Sequence, residues 1–316
     1  MVAQRLALPV AWIGVIVLFG ALEPDTFLTS ANFETIFGSQ AVLVVVTLGL
    51  LFPLTAGDYD LSVASTLTLA SMVVALLNAQ HGWPVGAAIA VALAAAAVVG
   101  LVNGALVAVL DVESLVVTLG TGTFVSGVVL WTSDSATIGG VSDSLVNPVI
   151  VWELFGIPLA FFYGLVLCAA VWLVFEYAPL GRRLLFVGRG REVARLSGVR
   201  VRRVRFGALV ASAVFAGVAG VLYAGTLGGA DPSSGLDFLL PAYAAAFLGA
   251  TAIVPGRFNP WGTIVAVYFL VTGVTGLQLV GVESFVQQLF YGGALIVAVV
   301  LSRLAREFTR GEPAGG

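Results

Sequence analysis

The sequence contains no lysine, one histidine and one cysteine among its 316 residues. A Walker A phosphate loop needs a lysine, so the chain lacks that nucleotide-binding motif, and Schiff-base chemistry is excluded for the same reason. His81 and Cys168 alone can form neither a His/Cys metal site nor an intrachain disulfide. The sequence also offers no set of nucleophile, base and metal ligands that would predict a membrane enzyme.

Charge is scarce as well, because only 10% of the residues are charged whereas soluble domains average about 25%. Hydrophobic residues make up 59% of the chain, and the mean hydropathy is +1.07. This composition excludes a soluble globule and predicts an all-α, polytopic membrane protein. Helices are expected rather than barrel strands, since the apolar runs do not alternate with polar residues.

Ten apolar segments of the sequence are predicted to cross the ~30 Å hydrocarbon layer of a membrane. The first is interpreted as a retained helix, because it lacks the A-x-A site of a cleaved signal peptide. The segments cover about 6–22, 36–56, 61–79, 85–110, 115–131, 155–175, 206–227, 239–254, 261–280 and 285–301.

The arginines predict the orientation, since cytoplasmic segments of membrane proteins are enriched in basic residues. If the N-terminus is cytoplasmic and ten spans follow, all fourteen arginines fall on the cytoplasmic side and none on the other. The opposite side then carries nine acidic residues. The sequence therefore predicts about ten spans with the N- and C-termini both in the cytoplasm.

An arginine-rich loop divides what we expect to be a single transmembrane domain. Nine of the fourteen arginines lie in this loop, where Glu192 is the one acidic residue. Such a loop either anchors the cytoplasmic side of the protein or also forms a surface where a cytosolic partner binds. The predicted parts are a six-span part at about 1–176, the loop at about 177–205, a four-span part at about 206–302 and a tail at 303–316.

Charged side chains are scarce within the spans, and two aspartates lie between the second and third spans. Asp60 is expected to cap the third helix, because a carboxylate can accept hydrogen bonds from the first N–H groups. Asp58 has no such role in the sequence. Asn103 lies between Gly100 and Gly104, whose spacing lets helices approach closely while the amide forms an interhelical hydrogen bond.

Four motifs stand out between about residues 45 and 300: Gly57-Asp58-Tyr59-Asp60-Leu61-Ser62-Val63; Gly100-Leu101-Val102-Asn103-Gly104 with Thr118-Leu119-Gly120-Thr121; Gly181-Arg182-Arg183 through Glu192-Val193-Ala194-Arg195-Leu196-Ser197-Gly198-Val199; and Leu248-Gly249-Ala250-Thr251 with Gly256 and Trp261-Gly262-Thr263. Their order and spacing resemble the permease subunit of ribose-type (monosaccharide) ABC importers. Departures at Ala64, Pro241 and Ala250 leave that architecture intact but do not identify the solute.

The resemblance implies a transport subunit, not an enzyme, that works in the cell inner membrane as a dimer with a second copy or a paralogue. Two cytoplasmic ABC ATPase subunits would use ATP, so this chain itself would bind no cofactor. An extracytoplasmic sugar-binding protein would deliver a monosaccharide of the ribose or xylose type. The lipid bilayer surrounds such a subunit, and nucleic acid is not an expected partner.

The resemblance also assigns roles to residues. In the arginine-rich loop, a short helix would contact a groove on the ATPase through Val193, Ala194 and Leu196, while Glu192 and Arg195 would set its register. The flanking arginines at 182–183 and 200–205 are expected to hold the loop at the inner surface. The coupling segment is Glu192, Val193, Ala194, Arg195, Leu196, Ser197 and Gly198, and the family-turn or pathway residues are Gly57, Asp58, Asp60, Ser62, Asn103, Gly249 and Thr251.

Other transporter classes stay open at this point. The chain can be a facilitator or secondary transporter for a small polar solute, or an ABC permease for an amino acid or nucleoside. Proton-coupled carriers usually need acids or histidines at the midplane, and apart from the pair Asp58 and Asp60 no predicted span has one. The residue types suited to sugar contacts do not share a predicted face: Asn103, Thr118, Tyr243, Gln278 and Gln288.

Overall fold

The computed structural model describes residues 2–283 and 285–310 as an almost entirely helical protein. The helices of the first half are α1 (Val2–Leu22), α2 (Pro24–Phe27), α3 (Ser30–Ser39), α4 (Ala41–Ala56), α5 (Val63–Ala75, extended by a π-helical turn Leu76–Gln80), α6 (Val85–Gly104, extended by a π-helical turn Ala105–Val109) and α7 (Ser114–Thr132). The remaining helices are α8 (Asp143–Val146, extended by a π-helical turn Asn147–Val151), α9 (Leu159–Glu176), α10 (Pro179–Arg189), α11 (Arg191–Leu196), α12 (Val201–Leu227), α13 (Leu236–Gly249), α14 (Pro260–Leu279) and α15 (Phe285–Arg310). Four two-residue strands are β1 (Ile138–Gly139), β2 (Glu153–Leu154), β3 (Ile157–Pro158) and β4 (Gly229–Ala230).

The ten predicted apolar segments all form helices. Eight stretches in the described part of the chain are long and apolar enough to cross a membrane, and α13 and the first part of α15 are shorter apolar helices. The all-α, polytopic prediction is therefore confirmed. The second span begins at Ser30 rather than near residue 36. The predicted tail 303–316 continues α15 as far as Arg310, and residues 311–316 lie outside the described residues.

The predicted arginine-rich loop 177–205 is largely helical. It contains α10 and α11, and its last five residues belong to α12, which starts at Val201 rather than near residue 206. Pro179 occupies the first position of α10, where its missing N–H costs nothing. Leu184 and Val187 lie on one side of α10 and are buried, so the arginines of that helix are left on its other side.

Helices α4 and α12 form the centre of the fold. All sixteen residues of α4 are buried, as expected for a helix that is apolar on every side. Helix α12 packs against α4, α5 and α6 through small residues. A Cβ added at Gly220 would lie 2.3 Å from the Leu67 carbonyl oxygen, and one at Gly100 would lie 2.8 Å from the Ala213 Cβ. These glycines therefore allow the close helix contacts that stabilise membrane bundles.

The helix ends lie on two faces of the molecule. The arginine face is the one that carries α10, α11 and the connections 57–62, 110–113 and 250–259, and ion pairs join several of these elements. The opposite face carries the connections 81–84, 133–158, 228–235 and 280–283, and it includes the pairing of β1 with β4.

The longest connection of the opposite face, between α7 and α9, is ordered by polar contacts. It contains the short helix α8. Ser142 N–H donates to Asn78 Oδ1 at 2.8 Å, and Thr137 Oγ1 donates to Asp231 Oδ2 at 2.7 Å. Hydrogen bonds from Ser233 and then from Thr137 hold the pKa of Asp231 below its ordinary value.

Candidate functional site

The connection between α4 and α5, which we call the 57–62 turn, is the irregular segment around which the candidate residues gather. Gly57 ends α4 with a φ of 80°, a left-handed conformation that favours glycine. Its N–H donates to Leu54 O at 3.2 Å, and Asp58 N–H donates to Pro53 O at 2.9 Å. The helix thus ends with a local cap, and the next four N–H groups need other acceptors.

Side chains from distant helices supply three of those acceptors, each at 3.0 Å. Tyr59 N–H donates to Ser114 Oγ, and Leu61 N–H donates to Thr118 Oγ1, both on α7. Asp60 N–H donates to the hydroxyl oxygen of Tyr243 on α13, in the four-span part. Irregular backbone within a membrane protein is stable only when the protein satisfies its polar groups, and this turn meets that requirement.

Asp60, Ser62 and Asn103 meet in one buried cluster. Asp60 Oδ1 accepts from Ser62 N–H at 3.1 Å and from Ser62 Oγ at 2.6 Å. These bonds stabilise the turn before α5, and the carboxylate does not accept from the first N–H groups of the helix, which corrects the predicted cap. Asn103 Nδ2 donates to Ser62 Oγ at 2.8 Å, which gives the interhelical hydrogen bond predicted for this amide. All three side chains have an exposed fraction of 0%. They therefore hold helices together within packed protein.

Asp58 forms the centre of a second cluster, the ion-pair network, which consists of Asp58, Arg205, Arg191 and Asp111. Asp58 is only 1% exposed and Arg205 only 4% exposed. Arg205 Nε donates to Asp58 Oδ2 at 2.8 Å and Arg205 Nη2 donates to Oδ1 at 2.9 Å, a bidentate pair. The remaining Nη1 of Arg205 donates to Asp111 Oδ1 at 2.9 Å. Arg205 is thus not a surface anchor, which corrects its predicted role.

Arg191, the first residue of α11, joins this network from the arginine face. Its Nη2 donates to Asp58 Oδ1 and to the Gly57 carbonyl oxygen, both at 2.8 Å. The beginning of α11 is therefore bonded directly to the end of α4. The sequence did not predict that Arg191, Arg205 and Asp111 belong to this network. The one indication of a distant partner was that Asp58 had no local role.

Helix α10 lies directly against the ends of α4 and α9. A Cβ added at Gly188 would lie 2.0 Å from the Thr55 carbonyl oxygen, and one at Gly181 would lie 2.3 Å from the Phe175 carbonyl oxygen. These distances are shorter than any real Cβ contact, so only glycine permits this approach. The helix that precedes α11 is therefore fixed to the helix that precedes the 57–62 turn.

The predicted coupling segment is the helix α11 and its C-terminal cap. Val193 is 59% exposed and Leu196 is 78% exposed, and their spacing places them on the same face of the helix. Ala194 is fully buried, so it packs within this chain and its predicted contact with a partner is wrong. Glu192 and Arg195, both exposed, pair with each other.

The end of α11 has the geometry of a Schellman cap. Gly198 has a φ of 81°, and its N–H donates to Arg195 O at 3.0 Å. Val199 N–H donates to Ala194 O at 3.0 Å, and Ser197 Oγ donates to Val193 O at 2.9 Å. Gly198 thus ends the helix and turns the chain toward α12.

Gly249 and Thr251 lie apart from the other candidates, in the connection between α13 and α14. A Cβ added at Gly249 would lie 2.6 Å from the Thr263 nitrogen, so the two helices meet closely there. Asn259 organises this connection: Nδ2 donates to the carbonyl oxygens of Gly249, Ala252 and Arg257 at 3.1 Å, and Oδ1 accepts from Gly262 N–H at 2.7 Å. These residues therefore build a turn on the arginine face.

Comparison with known proteins identifies the family. A family model described as the permease component of a branched-chain amino acid transport system matches residues 32–299. The D-allose transport system permease protein AlsC of Escherichia coli is 31% identical over 290 residues, which are 92% of this chain and 89% of that protein. The autoinducer 2 import system permease protein LsrD of Photorhabdus laumondii is 30% identical, over 90% of this chain and 86% of that protein.

A third relative is the galactose/methyl galactoside import permease protein MglC of Salmonella typhimurium, 29% identical over 89% of this chain and 89% of that protein. No solved structure matches the chain. The chain is thus a multi-pass inner-membrane protein and a transport subunit, and it belongs to the family described as the permease component of the branched-chain amino acid transport system, which confirms its resemblance to ABC importer permeases.

Proposed function

We propose that this chain is the permease subunit of an ABC importer for a monosaccharide or a similar small polyol. A binding protein outside the membrane delivers the solute, two cytoplasmic ATPases supply the energy, and a second permease copy or a paralogue completes the path. The observation that carries this proposal is the bond between Arg191, at the start of the exposed helix α11, and Asp58, between two spans. The names of the relatives do not single out ribose or xylose.

The distribution of charge supports an orientation with the arginine face in the cytoplasm. The arginine face contains the nine arginines of residues 181–205, and such faces lie in the cytoplasm. In this orientation α11 presents Val193 and Leu196 to the cytosol, where an ATPase can bind them. Exposed apolar side chains on a short helix are typical of a helix that docks into a groove of a partner.

The ion-pair network gives a physical route from α11 to the spans. A movement of α11 pulls on Asp58 through Arg191, and Asp58 is joined to the central helix α12 through the bidentate contact with Arg205. Arg205 also contacts Asp111, in the connection between α6 and α7. ATP-driven closure of the ATPases would therefore shift several helices together, and the solute and ATP would bias the same equilibrium between inward- and outward-open states.

Leu196→Arg is expected to weaken assembly with the ATPase by about tenfold or more, because it places a charge in an apolar contact. The stability of the permease should change by less than about 0.5 kcal/mol, since the side chain is 78% exposed. Co-purification titrations and solute-stimulated ATP hydrolysis in proteoliposomes measure the effect. The matched control is Phe155→Arg, at a side chain 91% exposed on the opposite face. Assembly of Leu196→Arg at wild-type affinity would contradict the proposed coupling contact.

A cavity on the opposite face supports a sugar as the solute. It has a volume of about 640 Å³ and lies between the first turns of α13 and α15. A carboxylate, two amides and a phenol line it together with an aromatic ring, a set that can hydrogen-bond hydroxyl groups and pack on a sugar ring. An exposed acid and amides disfavour contact with lipid, so this surface suits a water-filled path. The residues are Asp237, Gln287, Gln288, Tyr291 and Phe285.

Replacing Asp237 with Asn and Gln288 with Ala is expected to raise the half-saturation concentration for transport by about tenfold, because a charged acceptor becomes a weaker neutral one and one hydrogen-bonding group is removed. Uptake of labelled D-allose, D-galactose and D-ribose by the reconstituted importer measures this. The control Asp134→Asn alters an exposed acid elsewhere on the opposite face and should leave uptake unchanged. Uptake of sugar at wild-type affinity by the double variant would remove the cavity from the path, whereas uptake of none of these sugars by the wild type would contradict the sugar importer itself.

A further inference from the structure

The nine arginines between residues 181 and 205 divide into two groups in the structure. Arg191 and Arg205 pair with Asp58, and Arg195 pairs with Glu192. The other six have no carboxylate partner in the described part of the chain, and three of these six converge on one place. The six are Arg182, Arg183, Arg189, Arg200, Arg202 and Arg203.

The place where they converge is a cavity of about 540 Å³, the cationic cavity, enclosed by α10, the Gly198 turn and the first turn of α12. Arg183 comes from α10, Arg200 immediately precedes α12, and Arg203 lies in the first turn of α12. Three guanidinium groups around one volume repel one another, since they lie within about a Debye length. A bound anion would remove that repulsion, and the positive end of the α12 dipole would add to the attraction.

The chemistry of the cavity favours a phosphate group. Guanidinium groups are planar donors that bind phosphate oxygens in a bidentate manner, and several of them can share one phosphate. Apolar side chains also line the cavity, namely Leu180, Val199 and Val204, beside Ser197 and Gly198. A site with cationic and apolar lining fits an amphiphile, because its anionic group can contact the arginines and its hydrocarbon part the apolar side chains. A soluble anion would leave the apolar side chains without a contact.

We propose that the cationic cavity binds the phosphate headgroup of an anionic membrane lipid. The position of the cationic cavity supports this ligand, because the cavity lies on the arginine face where α12 enters the bilayer. Basic pockets at this depth bind anionic headgroups. The bound lipid bridges α10 and α12 beside Gly198, which ends the coupling segment. Anionic lipid therefore holds α11 in position, whatever solute the importer carries.

The test is the binding of phosphatidylglycerol to the full-length permease, titrated in phosphatidylcholine nanodiscs and observed by native mass spectrometry. The triple variant Arg183→Gln, Arg200→Gln, Arg203→Gln should bind this lipid about tenfold more weakly or worse. The matched control replaces Arg182, Arg189 and Arg202 with Gln; it removes the same charge outside the cavity and should remain within about twofold of the wild type.

Two outcomes would overturn this proposal. An equal loss in both triple variants would overturn the site, because the lipid would then respond only to general positive charge. Binding of inorganic phosphate alone, with no binding of phosphatidylglycerol, would overturn the lipid and identify a soluble anion as the ligand. Since a misfolded variant would also lose lipid, Arg203→Gln is measured alone: an affinity about fivefold lower supports the site, and wild-type affinity contradicts it.

Discussion

Asp58→Ala is expected to lower the free energy of unfolding by about 3–5 kcal/mol, because it leaves Arg205 buried without its bidentate partner. Arg205 is 4% exposed, so water cannot replace the lost carboxylate. The same substitution removes the partner of Arg191 and should abolish solute-stimulated ATP hydrolysis. Thermal unfolding of the purified permease in detergent measures the first effect, and reconstituted complexes measure the second.

Two further variants separate stability from coupling. Asp111→Asn neutralises the outer partner of Arg205 and keeps a residue type that tolerates the left-handed φ of 57° at this position. Because the Asp111 side chain is 77% exposed, this variant should cost less than about 1 kcal/mol. The double variant Asp58→Leu, Arg205→Met replaces the buried pair with apolar side chains and should regain most of the stability. It still lacks the bond to Arg191, so coupling should stay lost. A double variant that is stable and fully coupled would show that the ion-pair network does not transmit the movement.

Gly188→Ala is expected to have the second-largest effect, because the new Cβ would lie 2.0 Å from the Thr55 carbonyl oxygen. Helix α10 would have to move away from α4 by about 1 Å or more, at a cost of about 1–3 kcal/mol. Since α11 follows α10 directly, the contact of Arg191 with Gly57 and Asp58 should weaken as well. Thermal unfolding and stimulated ATP hydrolysis should therefore both decline.

The control for this substitution is Gly207→Ala. Gly207 lies in α12, where an added Cβ meets nothing within 4 Å, and alanine is the better helix former by about 1 kcal/mol. This variant should be as stable as the wild type or more stable, with unchanged coupling. If Gly188→Ala behaved in the same way, α10 would not be fixed against α4 as the structure has it.

The spans and the local features of the site could be predicted from the sequence. Apolar runs of sufficient length give helices in a membrane protein, because lipid leaves the backbone no other partner. The close packing of Gly100 and the hydrogen bond of Asn103 followed from residue size and spacing. A local hydrogen bond of Asp60 could be expected from its place before a helix, but the carboxylate bonds Ser62 in the turn rather than the first N–H groups of α5. The type of contact could be predicted because it depends on the residue itself, but the partners could not: Asn103 bonds to Ser62, 41 positions away, and Gly100 packs against Ala213.

The ion-pair network could not be predicted, because its members are far apart in sequence. Arg191 and Arg205 lie 133 and 147 positions after Asp58, and nine arginines in one segment offered no means to choose these two. The burial of Ala194 depends on how α11 is rotated against its neighbours, which six residues do not determine. The role of Asn259 could not be predicted either, because its four hydrogen bonds form only where α13 and α14 meet.

The hydrogen bonds of the 57–62 turn also determine the order in which parts of the chain can fold during synthesis. Tyr59 and Leu61 leave the ribosome before the α7 hydroxyls that accept their N–H groups, and Asp60 precedes Tyr243 by 183 residues. At a synthesis rate of about 5–20 residues per second, the Asp60 N–H waits on the order of ten seconds or more for its acceptor. The 57–62 turn of the six-span part therefore completes its hydrogen bonds only after α12 and half of α13 have been made. A permease truncated between the two parts would leave that N–H without its native acceptor.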